Sequence, residues 1–237
     1  MKEKTIGILG GMGPEATLDL FGKIIANTPA ARDQEHLRVV IDSNPKVPDR
    51  TAAILAGGES AVPAMKAGIA ALKRAGADFV VIPCVSAHFF LDELRQDAGL
   101  PILSMFDVAV EHIRRQHPDI RKIGLLATSG TIQGGRFREK LDAAGIETLA
   151  PEDADQKRVM AAIYEIKGAA SSRSRAEIGA EIRDIANRLI KRGAQGIVAG
   201  CTEIPLVLKP GDLDVPVFDT LLLLARAAIA AAGQNPV

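Results

Sequence analysis

The stretch "RAGADFVVIPC", residues 74–84, predicts a glycine turn, a buried strand and a cysteine just after that strand. Its apolar run contains no alternating polar residues, which is typical of a parallel strand covered by helices on both faces. The stretch "KRGAQGIVAGC", residues 191–201, follows the same plan. Because 201 − 84 is 117, Cys201 stands 117 positions after Cys84. The pair indicates an α/β protein in which one structural plan occurs twice.

A second pair of stretches shares this spacing. "KTIGILG" begins at Lys4 and is similar to "RKIGLLA" from Arg121, and Ile6 and Ile123 are again 117 positions apart. Two independent pairs with one offset predict an internal duplication into two lobes, each of which carries one cysteine.

Buried strands and helices alternate along the whole chain, as βαβ units require. The predicted strands are 5–10, 37–42, 78–83 and 101–103 in the first series, and 122–127, 146–149, 196–200 and 215–218 in the second. The predicted helices include 60–75, 153–167 and 175–192. We therefore expect an α/β fold with two pseudo-symmetric lobes, each a mostly parallel sheet flanked by helices.

The first lobe is predicted to comprise residues 1–103 plus 216–237, and the second residues 104–215. Ligands of open parallel sheets bind outside the carboxyl ends of the strands. Two facing lobes would bring Cys84 and Cys201 to one cleft from opposite sides, so we expect the active site in the cleft between the lobes.

The composition favours a small-molecule ligand over a nucleic acid or a membrane. Among 237 residues, 47% are apolar, and Lys plus Arg equals Asp plus Glu at 29 each. No basic patch for nucleic acid or for an anionic membrane emerges from such a balance. The apolar stretch 221–233 is shorter than a membrane span and contains Arg226, and the N-terminal apolar run ends too soon for a signal peptide. We expect a cytoplasmic protein with two free thiols.

Each cysteine admits a structural and a chemical interpretation. A buried cysteine after a strand often serves only as a small core residue. However, Ser86 stands two residues after Cys84, and Thr202 and Glu203 follow Cys201 directly. Such residues are typical of a helix N-terminus. The backbone N–H groups at a helix N-terminus lower the pKa of a thiol. This pattern predicts reactive thiols.

Two other chemistries remain as alternatives for the cysteines. A metal site fits poorly, because the sequence has no CxxC or HxxxH spacing. His88, four residues after Cys84, is a candidate partner in a Cys–His nucleophilic pair. Such a pair would leave Cys201 unexplained.

The opening "GILGGMGPEA", residues 7–16, allows three interpretations. Its GxGxxA pattern, with Asp42 at the end of the next predicted strand, is typical of a dinucleotide site, although Pro14 removes one backbone donor. The alternatives are a tight glycine turn with Pro14 as the first helical residue, and a turn that binds a small carboxylate.

Polar residues after other strand ends are further candidates. Arg50 follows a proline-rich loop and is suited to a bidentate grip on a carboxylate, although solvated loop arginines are common. Lys167 stands near the end of a predicted helix of the second lobe, where the ordinary interpretation is a surface lysine. Thr128 and Ser129 follow the first predicted strand of the second lobe, the position that the glycine turn has in the first lobe.

Taken together, six motifs resemble the aspartate racemases of the cofactor-independent aspartate/glutamate racemase family, from about residue 4 to 220. They are "GILGGMGPEAT" (7–17), "PDRT" (48–51), "IPCVSAH" (82–88), "GLLATSGT" (124–131), "IYEIKG" (163–168) and "GCTEIP" (200–205). The resemblance implies a homodimer without pyridoxal phosphate, other cofactor or metal, acting on a small acidic amino acid. It implies that Cys84 and Cys201 are the acid/base pair and that Arg50 and Lys167 hold the side-chain carboxylate. Met12, Ser86, Thr128 and Thr202 match positions around the α-amino and α-carboxylate groups.

One departure from the family pattern concerns Val85. The family commonly has P-C-N-T-A-H where this chain reads Pro83-Cys84-Val85-Ser86-Ala87-His88. Ser86 keeps a hydroxyl, but Val85 lacks an amide that donates and accepts hydrogen bonds. Besides aspartate racemisation, two functions therefore stay open: a related two-thiol isomerase or decarboxylase of dicarboxylic acids, and an inactive protein that binds acidic amino acids.

Overall fold

The structure, a computed structural model, describes residues 3–168 and 172–237. The chain forms two compact units, Met1–Val108 with Leu221–Val237, and Ala109–Thr220. The predicted boundaries were 103/104 and 215/216. Helices α5 (Met105–Gln116) and α10 (Thr220–Ala232) contain the residues at which the chain passes from one unit to the other.

The first unit contains a parallel sheet of strand order β2-β1-β3. Its strands are β1 (Ile6–Gly10), β2 (Val39–Ser43) and β3 (Phe79–Val81). Its further helices are α1 (Pro14–Asn27), α2 (Arg50–Leu55), α3 (Val62–Arg74) and α4 (Leu91–Asp97), with 3-10 helices at Asp33–Glu35 and Ser86–Phe90.

The second unit contains a parallel sheet of strand order β5-β4-β6-β7. Its strands are β4 (Lys122–Ala127), β5 (Glu147–Leu149), β6 (Ile197–Gly200) and β7 (Val217–Asp219). Its helices are α6 (Ser129–Gly134), α7 (Arg136–Ala143), α8 (Asp153–Lys167) and α9 (Arg175–Lys191), with a 3-10 helix at Ile204–Leu206.

The strand register confirms the internal duplication. Gly7 of β1 lies opposite Val80 of β3, and Gly124 of β4 lies opposite Ile197 of β6, so both partners are displaced by the same 117 positions. Equivalent strands thus pair in the same register, and the two cysteine-bearing strands have the same place in their sheets.

Glycine at positions 7 and 124 is favoured in both units because a side chain there would be crowded. A Cβ at Gly7 would lie 2.9 Å from the Ala77 Cβ, and one at Gly124 would lie 2.5 Å from the Ile197 Cδ1. The helix residues that press on these positions, Leu72 and Leu189, are again 117 positions apart. Each unit therefore packs one helix closely onto its central strand, and this holds the sheet edge that carries the thiol.

Seven of the eight predicted strands are confirmed. The exception is 101–103, which contributes a single bridge between Ile102 and Val80. The Pro101 carbonyl accepts from the Val80 N–H, and the Leu103 N–H donates to the Val80 carbonyl. Pro101 itself has no N–H to donate, so the ladder extends no further. The bridge stands beside β3 as β7 stands beside β6. Over the residues that the structure describes, no helix is long and apolar enough to cross a membrane.

Candidate functional site

The first thiol lies just past the carboxyl end of β3. Cys84 is 4% exposed and packs among the apolar residues of the first unit. Its N–H donates to the Ile82 carbonyl over 2.8 Å, which turns the chain sharply at Pro83. The 3-10 helix begins two residues later at Ser86, a buried residue. The strand therefore delivers the thiol to the edge of the sheet where ligands of such sheets bind.

His88 supports this turn through the backbone. Its Nδ1 lies 2.9 Å from the carbonyl oxygen of Cys84, not at the sulfur, and its ring packs on Phe106 with centroids 5.4 Å apart. Burial lowers the pKa of His88 to about 4, which keeps the imidazole neutral near pH 7. The structure thus contains no Cys84–His88 nucleophilic pair among its described contacts, and His88 instead holds the cysteine-bearing turn in place.

The buried imidazole makes stability depend on pH. Below its ordinary pKa of 6.5, His88 takes up a proton in the unfolded chain but stays neutral in the folded one until about pH 4. Unfolding then binds a proton, so we expect the free energy of unfolding to fall as pH falls through this window, by at most about 1.4 kcal/mol per pH unit. Urea midpoints measured at pH 7 and pH 5 check this expectation.

The variant His88→Gln is expected to lose most of this pH dependence, because it has no imidazole to protonate. Ile102→Val is the control, since it removes one methyl group from the same core and is expected to lower both midpoints equally. Equal pH slopes for the wild type and His88→Gln would show that another group causes the acid sensitivity.

The glycine turn after β1 lies against the loop that follows β2. Gly11 has φ +88°, and a Cβ there would come within 2.3 Å of the Asn44 backbone, so only glycine fits. Pro14 is the first residue of α1, which confirms the interpretation of this stretch as a tight turn that opens a helix. The Thr17 hydroxyl accepts from the Gly11 N–H over 2.9 Å and fixes the turn from inside.

Arg50 joins this turn to the proline-rich loop. Its Nη1 donates to the carbonyls of Val47 and Pro48 over 3.0 and 2.9 Å, and its Nη2 donates to the carbonyl of Met12 over 3.3 Å. A guanidinium has five N–H groups, so two are left: one on Nη2 and the one on Nε, a buried atom with no hydrogen-bond partner. Nε and Nη2 form one edge of the guanidinium fork, the edge that can bind a carboxylate bidentately.

The second thiol has a carboxylate beside it. Cys201 is 5% exposed, and its Sγ donates to Oε2 of Glu203 over 2.9 Å. The Thr202 hydroxyl donates to the same oxygen over 3.2 Å. Nζ of Lys167, at the end of α8, lies 3.8 Å from Oε1 of Glu203. Three residues predicted for the site thus surround one buried acid.

This environment changes the expected acidity of the second thiol. Burial, and next the charge of Glu203, raise the pKa of Cys201 well above its ordinary value, while Lys167 opposes the shift. The prediction of a lowered thiol pKa is therefore wrong for Cys201. The 3-10 helix that follows is only three residues long and has no side-chain cap.

Thr128 lies beside Cys201 at the same sheet edge, because the preceding residues Ala127 and Gly200 are paired across β4 and β6. Its hydroxyl caps α6 by accepting from the Thr131 N–H over 3.2 Å. Gln156 of α8 reaches the same edge, donating to the Ala127 carbonyl over 3.0 Å, and its Oε1 is buried without a partner.

Each unit assembles its own share of the predicted site residues. The first unit holds Met12, Arg50, Cys84 and Ser86, and the second holds Thr128, Lys167, Cys201 and Thr202. Sequence reasoning missed the roles of Glu203 and Gln156. The signal for Glu203 was an acid inside the otherwise uncharged run "GCTEIPLV", but the sequence alone does not say that this acid is buried. In the described part of the chain, no cluster of three or more His, Cys, Asp or Glu residues is arranged to hold a metal ion.

The chain is similar in sequence and in fold to known racemases. The family model for Asp/Glu/hydantoin racemases matches residues 9–228. The broad specificity amino-acid racemase RacX of Bacillus subtilis is 25% identical over 231 residues, which cover 95% of this chain and 96% of RacX. The aspartate racemase of Picrophilus torridus has a TM-score of 0.88 and 30% identity, covering 99% of this chain and 96% of that one. An aspartate racemase homologue of Pyrococcus horikoshii has a TM-score of 0.77 and 27% identity, covering 98% and 100%.

Proposed function

This chain belongs to the Asp/Glu/hydantoin racemase family and is an amino-acid racemase, and we propose that it interconverts L- and D-aspartate through Cys84 and Cys201. The observation that carries the proposal is the equivalence of the two thiols. Each is buried just past the carboxyl end of the corresponding strand, β3 in one unit and β6 in the other, at the same offset in the strand register. Two like groups at equivalent positions suit a reaction whose two directions are mirror images.

In the proposed reaction, one cysteine is a thiolate and removes the α-proton of the substrate. The other is a thiol and delivers a proton to the opposite face of the same carbon, and the two roles exchange when the other enantiomer reacts. The negative charge that develops on the α-carboxylate is stabilised by hydrogen-bond donors fixed in advance, such as the N–H groups of the cysteine-bearing turns. No step requires a cofactor.

Aspartate is favoured because the candidate site has cations for a second carboxylate. Arg50 has one N–H on Nε and one on Nη2 that donate to no described partner, and its buried Nε–H is costly to leave without one. A bound carboxylate would satisfy both donors. We propose that Arg50 binds the side-chain carboxylate of aspartate and that Lys167 adds a positive charge to it. Met12, Ser86, Thr128 and Thr202 are proposed to line the site around the α-amino and α-carboxylate groups.

The apolar side chain of Val85 favours a different substrate. Its side chain is 2% exposed, and its carbonyl accepts from the His88 N–H over 3.0 Å. An apolar group at this place removes the amide that the family commonly has there, and one hydrogen bond to a charged group is worth roughly 1.5–3 kcal/mol. Turnover of glutamate, or of another dicarboxylic acid by isomerisation or decarboxylation, is the second candidate.

A substrate panel tests the proposed activity. We expect the purified protein to racemise L- and D-aspartate without added pyridoxal phosphate and at a higher kcat/KM than glutamate or alanine, measured by chiral chromatography. Evolution of carbon dioxide, or turnover of glutamate alone, would favour the second candidate. Tight binding of aspartate by calorimetry, with neither racemisation nor exchange of the α-proton, would contradict catalysis and indicate a binding protein.

The proposal retains two further expectations from the family resemblance, a homodimer and a cytoplasmic location. Light scattering of the purified chain tests the first, because a dimer has twice the 25.0 kDa mass of the chain. Fractionation of cells that express the protein tests the second.

A further inference from the structure

Glu203 is a buried carboxylate whose contacts all belong to the candidate site. Its side chain is 3% exposed, Oε2 accepts from the Cys201 thiol and the Thr202 hydroxyl, and Oε1 faces Lys167. Moving a carboxylate out of water costs several kcal/mol unless charges and hydrogen bonds compensate for it. A residue that only filled space at this position would be apolar. The acid therefore needs an explanation in terms of the groups that it contacts.

The Glu203 carboxylate lies closer to the thiol of Cys201 than to the ammonium group of Lys167. The Cys201 Sγ lies 2.9 Å from Oε2, within hydrogen-bonding distance for sulfur, whereas Nζ of Lys167 lies 3.8 Å from Oε1. The ammonium compensates the charge at a distance, and the thiol makes the direct hydrogen bond. In the described structure, the charged groups that act on Cys201 are Glu203, from its own turn, and Lys167, from α8.

The first thiol has no such carboxylate at the equivalent position. Because 203 − 117 is 86, the residue that corresponds to Glu203 is Ser86, and Val85 corresponds to Thr202. The duplication thus reproduces the strand, the turn and the thiol, but an acid stands two residues after Cys201 and a serine stands two residues after Cys84. Two thiols that perform mirror-image steps consequently have different surroundings.

We propose that Glu203 is a positioning residue that holds the proton on Cys201, so that the resting enzyme has Cys201 as its thiol acid. The inference rests on the proposed two-cysteine function. When Cys201 has to act as the base, its S–H bond breaks and its proton goes to solvent, while the Cys84 thiolate takes one proton from solvent, so that the pair again has one thiol and one thiolate. Burial, and next the charge of Glu203, raise the pKa of Cys201, which agrees with this assignment.

The decisive measurement is the titration of Cys201 in a protein that has no other cysteine. Cys84→Ala leaves Cys201 as the sole thiol, since the chain has two cysteines. Thiolate ultraviolet absorbance is followed against pH in this variant and in Cys84→Ala/Glu203→Gln. Glutamine keeps a hydrogen-bond acceptor but has no charge, so we expect the acid dissociation constant of Cys201 to rise at least about tenfold, a shift of one pKa unit.

Two matched variants separate charge from structure. Cys84→Ala/Glu203→Asp keeps the carboxylate and is expected to titrate closer to Cys84→Ala than the glutamine variant does. Cys84→Ala/Glu147→Gln removes an exposed carboxylate at the start of β5, beside Lys122, and is expected to leave the titration of Cys201 unchanged. Equal titration curves for Cys84→Ala and Cys84→Ala/Glu203→Gln would overturn the proposal.

The kinetics of racemisation give a second readout. In the two-cysteine enzyme, Glu203→Gln is expected to shift the pH profile of kcat/KM toward lower pH, and the shift must be the same in both directions because the enantiomers have equal free energies. A lower kcat/KM with an unchanged pH profile would indicate a structural role only and overturn the inference. The thiol titration does not depend on turnover, so an inactive wild-type protein would contradict the proposed function and leave the titration result valid.

Discussion

Replacing either Cys84 or Cys201 by alanine is expected to lower kcat/KM for aspartate racemisation by roughly 10²–10⁴-fold, the usual contribution of a positioned acid or base. Racemisation requires both a proton acceptor and a proton donor, so the loss of one thiol stops inversion whichever enantiomer is supplied. Both variants are expected to fold, because alanine only removes a small sulfur from a core position. Chiral chromatography of the two enantiomers measures the loss.

Exchange of the α-proton in heavy water distinguishes the two thiols. Each single variant keeps one thiol, which still removes and returns the proton on its own face of the carbon. We therefore expect Cys84→Ala to exchange the α-proton of one enantiomer without inversion, and Cys201→Ala to exchange that of the other. If Glu203 holds the proton on Cys201, exchange by Cys84→Ala is the slower of the two at neutral pH.

The control for these variants is Ile82→Val, which removes one methyl group two residues before Cys84 and leaves both thiols in place. It is expected to racemise aspartate at close to the wild-type rate. Wild-type rates of both racemisation and exchange in Cys84→Ala and in Cys201→Ala would contradict the two-cysteine mechanism. Loss of racemisation with retention of exchange of both enantiomers in one variant would indicate that a third group acts as an acid or base.

The architecture was predictable because it depends on periodicity and repetition. Continuous apolar runs such as 78–83 and 196–200 indicate strands buried on both faces, and the offset of 117 positions predicted that these two strands are equivalent. The offset recurs in the register of β1 with β3 and of β4 with β6. The stretch 101–103 differed, because a single proline limits the ladder to one bridge and the sequence pattern does not measure ladder length.

The chemistry of the site was predictable only in part. Residue types and strand ends predicted where Cys84 and Cys201 lie, and the resemblance supplied Arg50 and Lys167. Hydrogen-bond partners are a property of three-dimensional packing, so the three backbone carbonyls that Arg50 binds were not foreseen. The raised pKa of Cys201 was not foreseen either, since it depends on burial together with a neighbouring carboxylate.

Replacing Arg50 by lysine is expected to raise KM for aspartate by roughly 10–100-fold, equivalent to about 1.5–3 kcal/mol for a lost hydrogen bond to a charged group. Lysine keeps the positive charge but has no planar fork, so it cannot engage a carboxylate with two parallel N–H groups. The measurement is KM for L- and D-aspartate at fixed pH, together with the melting temperature as a check on folding.

Arg50 also ties the Met12 turn to the proline-rich loop, so a structural effect has to be separated from lost substrate recognition. Alanine as a substrate makes this separation, because the free amino acid has the α-amino and α-carboxylate groups of aspartate but no side-chain carboxylate. If Arg50 binds that carboxylate, Arg50→Lys lowers the ratio of kcat/KM for aspartate to kcat/KM for alanine. If Arg50 only connects the two loops, kcat/KM falls for both substrates by the same factor. Arg38→Gln is the matched control, since Arg38 also donates to a backbone carbonyl of the first unit, that of Ala75 over 3.2 Å, and is expected to leave the preference unchanged.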